Sequence, residues 1–251
     1  MAQAGRILAR CHEILRSKAR PGVTTADLDG AAERFIRAQG AEPAFKGYHG
    51  FPGSICASPN SMVVHGIPGT YELKRGDILS VDIGVIYEGW VADAAITHPI
   101  GNVTPIAQRL LQSTRAALFD AVEQCRVGNR LGDVSHAVQA RAEGDGFGVI
   151  RSLVGHGIGR DMHEDPQIPN YGAPGTGPEL EEGMCLAIEP MVNAGGHQVR
   201  MGSDNWAVYS QDGSLAAHFE HTVAVTAEGP RILTPWHELM DAGAAPAAAS
   251  A

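Results

Sequence analysis

Three segments of the chain carry apolar residues at the three-to-four-residue spacing of an amphipathic helix. The first lies at the N-terminus and reads MAQAGRILARCHEILR. The second covers residues 24–39 and opens with Thr24 as a helix cap. The third covers residues 104–126, with Thr104 as the cap and Pro105 at the first helical position. The pattern therefore predicts one helix in each segment.

Most of the remaining apolar runs are typical of β-strands. A long pair, DILSVDIGVIY and WVADAAITH, is separated by a short turn and predicts a hairpin. Shorter strand-like runs are MVVHGI, MCLAIEPMV, NWAVYS and HFEHTVAVT. Residues 165–183 are rich in Pro and Gly and predict a surface loop. Residues 237–251 are rich in Ala and predict a disordered tail.

The order helix, helix, strands occurs twice along the chain. The stretches GVTTADL and GNRLGDV share a glycine and an acidic residue at the same spacing, and Asp82 and Glu189 each stand mid-strand at nearly the same offset. This repetition indicates an internal duplication within a single domain over residues 1–236, with halves at about 1–103 and 104–236. Two unrelated α+β segments are the alternative that the residues leave open.

Composition and charge limit the possible partners. The 251-residue chain has a formal net charge of −9 and no cluster of Lys and Arg, which argues against nucleic acid or an anionic membrane as the partner. No apolar run has the length of a membrane span and no signal-peptide pattern is present, so we expect a cytoplasmic protein. Its four scattered cysteines predict reduced thiols. Without an evident apolar seam, we expect a monomer.

Four strand-like runs each carry one carboxylate among apolar neighbours. The four residues are Asp82, Asp93, Glu189 and Glu220. A buried carboxylate must be protonated, pair with a cation or bind a metal ion, because an unpaired charge outside water is very unfavourable. No Lys or Arg lies within two residues of any of them, although one from elsewhere in the chain could serve. Two divalent ions would balance all four charges, and Mn, Fe, Co or Zn suit such ligands.

A site of this kind also needs an imidazole ligand, for which there are four candidates: His65, His156, His163 and His221. His65 and His156 each precede a glycine, where a ring can reach into a cleft; a histidine bonded to the backbone is the alternative. Other motifs fail. HExxH would need a second histidine where Gln167 stands, no suitable helix follows GHGIG, and no serine occupies a G-x-S-x-G elbow.

Five stretches, VVHGIP, SVDIGVIYEGWVADAAIT, GHGIGRDMHEDPQIPNYG, AIEPMV and FEHTVAVT, together resemble methionine aminopeptidase type I in order and spacing. The resemblance covers nearly the whole chain. It implies the α+β pita-bread fold, in which two pseudo-symmetric halves pack helices on a curved antiparallel sheet. It also implies that a hydroxide bridging two divalent ions removes the N-terminal methionine of nascent proteins and peptides with a small second residue. The expected partners are nascent N-termini, with ribosome association as a further expectation.

The resemblance also implies individual roles. The expected metal ligands, of which Asp93 and Glu220 would bridge the ions, are Asp82, Asp93, His156, Glu189 and Glu220. The expected catalytic residues, two substrate-contacting histidines and a proton shuttle, are His65, His163 and Glu189. The residues expected to bind the substrate are His65, Tyr48, Phe51, Cys56, Met162, His163 and Trp206. For Phe51 and Cys56, ordinary core packing is the alternative.

Some positions depart from the family pattern. Met162 stands where Phe is usual and can reshape the methionine pocket, and Ser61 and Val64 also differ from the usual residues. Three other classes of protein are alternatives to the type I enzyme. An Xaa-Pro peptidase of the same fold would carry an additional N-terminal domain. A type II enzyme would carry a helical insertion late in the chain, and a metal-free binding protein would have lost a ligand.

Overall fold

The computed structural model describes residues 1–242 as five α-helices, one short 3-10 helix and fifteen strands. The helices are α1 Ala2–Lys18, α2 Thr25–Ala38, α3 Pro105–Val122, α4 Leu131–Gly144 and α5 Trp236–Ala242, and the 3-10 turn is Tyr48–Gly50. The strands are β1 Glu42–Pro43, β2 Cys56–Pro59, β3 Met62–Val64, β4 Ile78–Tyr87, β5 Trp90–Pro99, β6 Gly148–Val149, β7 Val154–Gly157, β8 Glu164–Pro169, β9 Cys185–Ile188, β10 Met191–Asn193, β11 Val199–Met201, β12 Val208–Ser210, β13 Ala216–His218, β14 His221–Thr226 and β15 Gly229–Ile232. The three predicted helices are all present.

Helices α2 and α4 begin with the same chemistry. At α2, the Thr24 hydroxyl accepts from the Asp27 backbone N–H at 3.1 Å, and the Asp27 carboxylate accepts from the Thr24 N–H at 3.0 Å. At α4, the Asp133 carboxylate accepts from the Arg130 N–H at 2.7 Å. Each acid therefore satisfies a backbone donor that a helix start leaves free. The two helix starts share this acidic contact, whereas the hydroxyl cap of Thr24 has no counterpart at Arg130.

The strands form four antiparallel sheets among the described residues. The first has the order β1-β4-β2 with β5 paired to β4, and the largest has the order β15-β14-β9-β7-β8. Two three-stranded sheets, β13-β10-β6 and β11-β12-β3, lie beside them. The β4–β5 hairpin is confirmed, and its turn uses Glu88 and Gly89, both at positive φ. Helices and sheets share one apolar core, to which α1 contributes Leu8 and Leu15 and β4 contributes Ile83.

Two predicted strands are interrupted at residues that carry a candidate carboxylate, Glu189 and Glu220. MCLAIEPMV is divided into β9 and β10, because Pro190 has no N–H to donate to a ladder. The expectation that Glu189 stands mid-strand was therefore wrong: it lies in the break. HFEHTVAVT is likewise divided, since β13 ends at His218 and β14 begins at His221. Glu220 lies in this second break, where its backbone N–H donates to Ala95 of β5 at 2.9 Å.

Two segments predicted to be irregular are partly regular. The loop predicted over residues 165–183 begins with β8, which pairs with β7 and buries Ile168. The first part of the predicted tail is helical, because Trp236 is buried and its indole N–H donates to the Glu220 carbonyl at 2.9 Å. Residues 243–251 of the predicted tail lie outside the described residues.

The two halves meet where β5 passes the β13–β14 segment in antiparallel direction. The Thr97 hydroxyl donates to the His218 carbonyl and accepts from the His218 N–H, both at 2.8 Å. The Thr222 hydroxyl does the same for Asp93, donating to its carbonyl at 2.7 Å and accepting from its N–H at 2.9 Å. Two threonines, one from each half, thus hold opposite strands in register. None of the described helices has the length and apolar character needed to cross a membrane.

Candidate metal centre

A cavity of about 270 Å³ lies between the β4–β5 hairpin and the strands of the second half. All four predicted carboxylates line it, as do His65, His156 and His163. So do four of the predicted pocket residues, which are Tyr48, Phe51, Cys56 and Trp206. The residues Met162 and His221 are not part of the cavity wall.

Asp82 and Asp93 reach the same face of the hairpin. In the β4–β5 register Asp82 is opposite Ala95 and Asp93 is opposite Gly84, which makes the two acids diagonal neighbours. Their carboxyl groups are close enough to hydrogen-bond to each other. Two like-charged groups in this position need either a shared proton or a cation.

Three residues from three segments lie close enough together to hold one metal ion. One ligand atom each from Asp93, His156 and Glu220 lies within 4.8 Å of the other two. Glu189 adjoins this group, with its Oε1 3.7 Å from the His156 Nε2. Buried oxygens of Asp82, Asp93 and Glu220 have no hydrogen-bond partner. The cavity wall, which belongs entirely to the described chain, contains no Lys or Arg, so the donor set fits divalent metal ions.

Burial changes the protonation of all four acids. Loss of solvent raises the pKa of Asp93, Glu189 and Glu220 well above the usual range, and the neighbouring carboxylates raise it further. Burial also raises the pKa of Asp82, to about 7. The charged forms of these groups are unfavourable unless a cation stands among them. The raised pKa values and the donor set therefore both favour a bound cation.

His156 presents a free lone pair to this cluster. Its Nδ1 lies 2.8 Å from the Gly157 carbonyl oxygen, which can only accept, so the ring proton is on Nδ1. Burial lowers the pKa of His156 to about 4, which keeps the ring neutral. The unprotonated Nε2 is thus the atom that faces the Glu189 carboxylate. A backbone carbonyl that fixes the tautomer in this way is usual for metal-binding histidines.

His163 and Tyr48 form a pair at the cavity wall. The Tyr48 hydroxyl lies 2.8 Å from the His163 Nδ1, and the two rings are stacked at 5.5 Å between centroids. The His163 ring is also 4.2 Å from that of His156. When the tyrosine donates to Nδ1, the imidazole proton lies on Nε2, where it is available to a bound molecule.

His221 has a structural environment instead. Its ring stacks on Trp236 at 4.4 Å between centroids, and its Nδ1 lies 3.0 Å from the Thr234 hydroxyl. Of the four histidine candidates, it is the one for which the backbone-and-core alternative describes the surroundings better.

The other side of the cavity is apolar. Phe51 and Trp206 meet edge to face at 5.1 Å between centroids, and Cys56 is buried beside them. Met162 is buried in the same apolar cluster, behind the wall. A Cβ at Gly84 would lie 2.7 Å from the Met162 terminal methyl carbon, so this glycine leaves the room that the methionine fills.

Among the cavity residues that sequence reasoning missed, His218 lies beside two of the carboxylates. His218 is 2% exposed, lines the cavity, and has no hydrogen-bond partner at either ring nitrogen. Its Nε2 lies 3.6 Å from the Glu189 Oε2 and 3.8 Å from the Glu220 Oε2. The signal was its position two residues before Glu220, which in extended chain places both side chains on one face.

Comparisons with known proteins agree with this site. Residues 1–227 match the model of metallopeptidase family M24. Methionine aminopeptidase 1 of Bacillus subtilis is 52% identical over 93% of this chain and 94% of its own length. The crystal structure of methionine aminopeptidase from Rickettsia prowazekii superposes with a TM-score of 0.92 at 42% identity, covering 93% of this chain and 95% of that one.

More distant structures share the fold alone. An Xaa-Pro dipeptidase from Bacillus anthracis superposes with a TM-score of 0.75 at 22% identity, and this chain spans 59% of its length. The predicted pita-bread fold is therefore confirmed. The methionine aminopeptidases are matched over nearly their whole length, whereas the Xaa-Pro dipeptidase is matched over little more than half of its length. The chain therefore belongs to metallopeptidase family M24, among its methionine aminopeptidases.

Proposed function

We propose that the protein is a metal-dependent aminopeptidase that removes the N-terminal methionine from nascent proteins and peptides with a small second residue. One observation carries this proposal: four carboxylates from four segments surround a single cavity whose wall contains no Lys or Arg. The similarity to named methionine aminopeptidases over nearly their whole length supplies the substrate class.

Five residues would hold two divalent ions, namely Asp82, Asp93, His156, Glu189 and Glu220. Asp82, Asp93 and Glu220 each have a buried oxygen without a hydrogen-bond partner, which supports their role as ligands. When bound, a pair of such ions supplies a water molecule that is acidic near neutral pH and polarises the carbonyl of the first peptide bond. Which of Co, Mn, Fe or Zn serves in the cell stays open.

The protein's own groups would then position the peptide and move the proton. Glu189 lies beside both His156 and the cavity, so its carboxylate can take a proton from the water and deliver it to the departing amine. The His163 Nε2–H can donate to the carbonyl oxygen as negative charge develops there, with Tyr48 holding the tautomer. His65, at the same wall, is placed to contact the substrate amide.

The apolar wall suits a methionine side chain. Phe51, Trp206 and Tyr48 present aromatic surface, against which a thioether makes favourable contacts. Cys56 stands opposite Asp82 in the β2–β4 register, so the pocket and the metal centre share a strand pair. The side chain would be bound next to the site of hydrolysis, as an exopeptidase requires.

Three wider expectations remain predictions. The substrates would be the N-termini of nascent polypeptides, which a cytoplasmic enzyme meets as they are synthesised, and ribosome association is part of that prediction. A monomer is also predicted. The large exposed apolar residues Trp90, Ile106 and Met201 lie in three different elements, β5, α3 and β11, which supports this prediction.

The test is release of free methionine from Met-Ala-Ser and Met-Leu-Ser by metal-stripped protein titrated with Mn(II) or Co(II). We expect cleavage of the first peptide, weak or no cleavage of the second, and none without metal. Asp93→Asn is the control, since it keeps the size of the side chain and removes the bridging charge. Failure to cleave Met-Ala-Ser with any divalent metal would refute the proposal.

A further inference from the structure

His218 is a buried polar side chain inside the candidate centre to which none of the roles above applies. It lies at the end of β13, 2% exposed, with neither ring nitrogen hydrogen-bonded. A buried imidazole without a partner is unfavourable, since its polar atoms have lost water and gained nothing. Its presence therefore calls for a function in the occupied centre.

The ring nitrogen stands between two glutamates. The His218 Nε2 is 3.6 Å from the Oε2 of Glu189 and 3.8 Å from the Oε2 of Glu220. The other oxygen of Glu189 faces His156, and the other oxygen of Glu220 is buried without a partner. In each carboxylate, one oxygen is thus turned to His218 while the other remains available to an ion.

The backbone holds the ring in place. The Thr97 hydroxyl bonds both the N–H and the carbonyl of His218 at 2.8 Å, and a 2.8 Å contact to Ser80 orients that hydroxyl. His218 also pairs with Met191 across β13 and β10. The imidazole therefore approaches the glutamates from a fixed strand, and only a small closure would bring Nε2 within hydrogen-bond distance.

We propose that His218 is a positioning residue whose Nε2–H donates to the Glu189 carboxylate, with Glu220 alongside, and so orients the oxygens that remain for the metal ions. This inference rests on the proposed function, because it assigns a partner to two of its ligands. Hydrogen bonds of this type from outside the ligand set typically change metal affinity or activity by about 10- to 100-fold when removed.

Two substitutions separate a hydrogen-bond donor from a space-filling side chain. His218→Gln keeps an N–H donor at a similar distance from the backbone, and His218→Leu keeps bulk without a donor. Co(II) binding by calorimetry and the Co(II) absorption spectrum provide readouts that do not depend on turnover. Thermal unfolding of the metal-free proteins shows whether each variant is folded.

We expect His218→Leu to bind Co(II) about 10- to 100-fold more weakly, and to lose kcat on Met-Ala-Ser with KM changed little. His218→Gln should recover most of both, with the wild-type Co(II) spectrum. The inference is overturned if His218→Leu matches the wild type, or if His218→Gln is as impaired as His218→Leu, which would make the imidazole itself a ligand. A wild-type protein without Co(II) binding would instead refute the proposed function.

Discussion

Thr222 connects the two halves at the metal centre, and its hydroxyl gives a sharp test of that connection. The hydroxyl donates to the Asp93 carbonyl at 2.7 Å and accepts from the Asp93 N–H at 2.9 Å, and Thr222 is fully buried. Thr222→Val keeps the shape but removes both bonds. Two backbone groups of Asp93 are then buried without a partner, each at a cost of about 1–3 kcal/mol. We expect a loss of about 2–6 kcal/mol in the free energy of unfolding.

The assay is urea unfolding of the metal-free protein, followed by tryptophan fluorescence. Thr222→Ser is the matched control, because it keeps the hydroxyl and loses one methyl group, at a cost of about 1 kcal/mol. Thr97→Val should resemble Thr222→Val, since Thr97 makes the equivalent pair of bonds to His218. If the valine variant is no less stable than the serine variant, the two hydrogen bonds do not stabilise the junction of the halves.

Three further outcomes follow from the site. Metal binding must displace the proton of carboxyl groups such as Asp82, because burial raises the pKa of this group to about 7. The affinity for Co(II), measured by calorimetry, should therefore rise about tenfold or more between about pH 6 and about pH 8. An affinity that does not change with pH would contradict this. Gly84→Ala should lower the free energy of unfolding by about 1–3 kcal/mol, because its Cβ would lie 2.7 Å from Met162, 2.8 Å from Phe45 and 2.9 Å from Ala44. Urea unfolding should show a smaller loss for Gly84→Ala when Met162→Ala is already present, and an equal loss in both backgrounds would contradict the contact with Met162. Tyr48→Phe should lower kcat about fivefold, because the lost hydrogen bond, worth about 1 kcal/mol, no longer holds the His163 ring proton on Nε2. The free energy of unfolding should not change, and an unaltered kcat would exclude that role for the hydroxyl.

Local patterns predicted the elements whose causes are local. The helix over residues 24–39 was predicted from its Thr24 cap and its helical spacing of apolar residues, and the long hairpin from two apolar runs joined by a short turn. Strand β8 was missed because its Pro-rich segment is extended only through its pairing with β7, and the residues of the segment itself do not predict that pairing. Helix α5 was missed for the same reason, since burial of Trp236 against the body of the protein holds it.

The metal-centre candidates were recognisable because an acid among apolar residues is chemically anomalous wherever it folds. His218 was not recognised, because its position two residues before Glu220 gains meaning only when the strand is seen to pass beside β5 at the cavity. Glu189 and Glu220 each lie in a break, where the chain has left one ladder and the side chain is free to turn toward the hairpin.

The junction between β5 and the β13–β14 segment accounts for the location of the centre. In each half a threonine hydroxyl bonds the backbone of the opposite strand, Thr97 to His218 and Thr222 to Asp93, so the strands need no continuous ladder between them. Between the two bridges the strands are in direct backbone contact, because the Glu220 N–H donates to the Ala95 carbonyl at 2.9 Å. The threonine bridges therefore fix the backbone of Asp93 in one half and of His218 in the other, on either side of this contact. The side chains of Asp93, His218 and Glu220 all line the cavity, so the contacts that join the halves also set the positions of the groups in the metal centre.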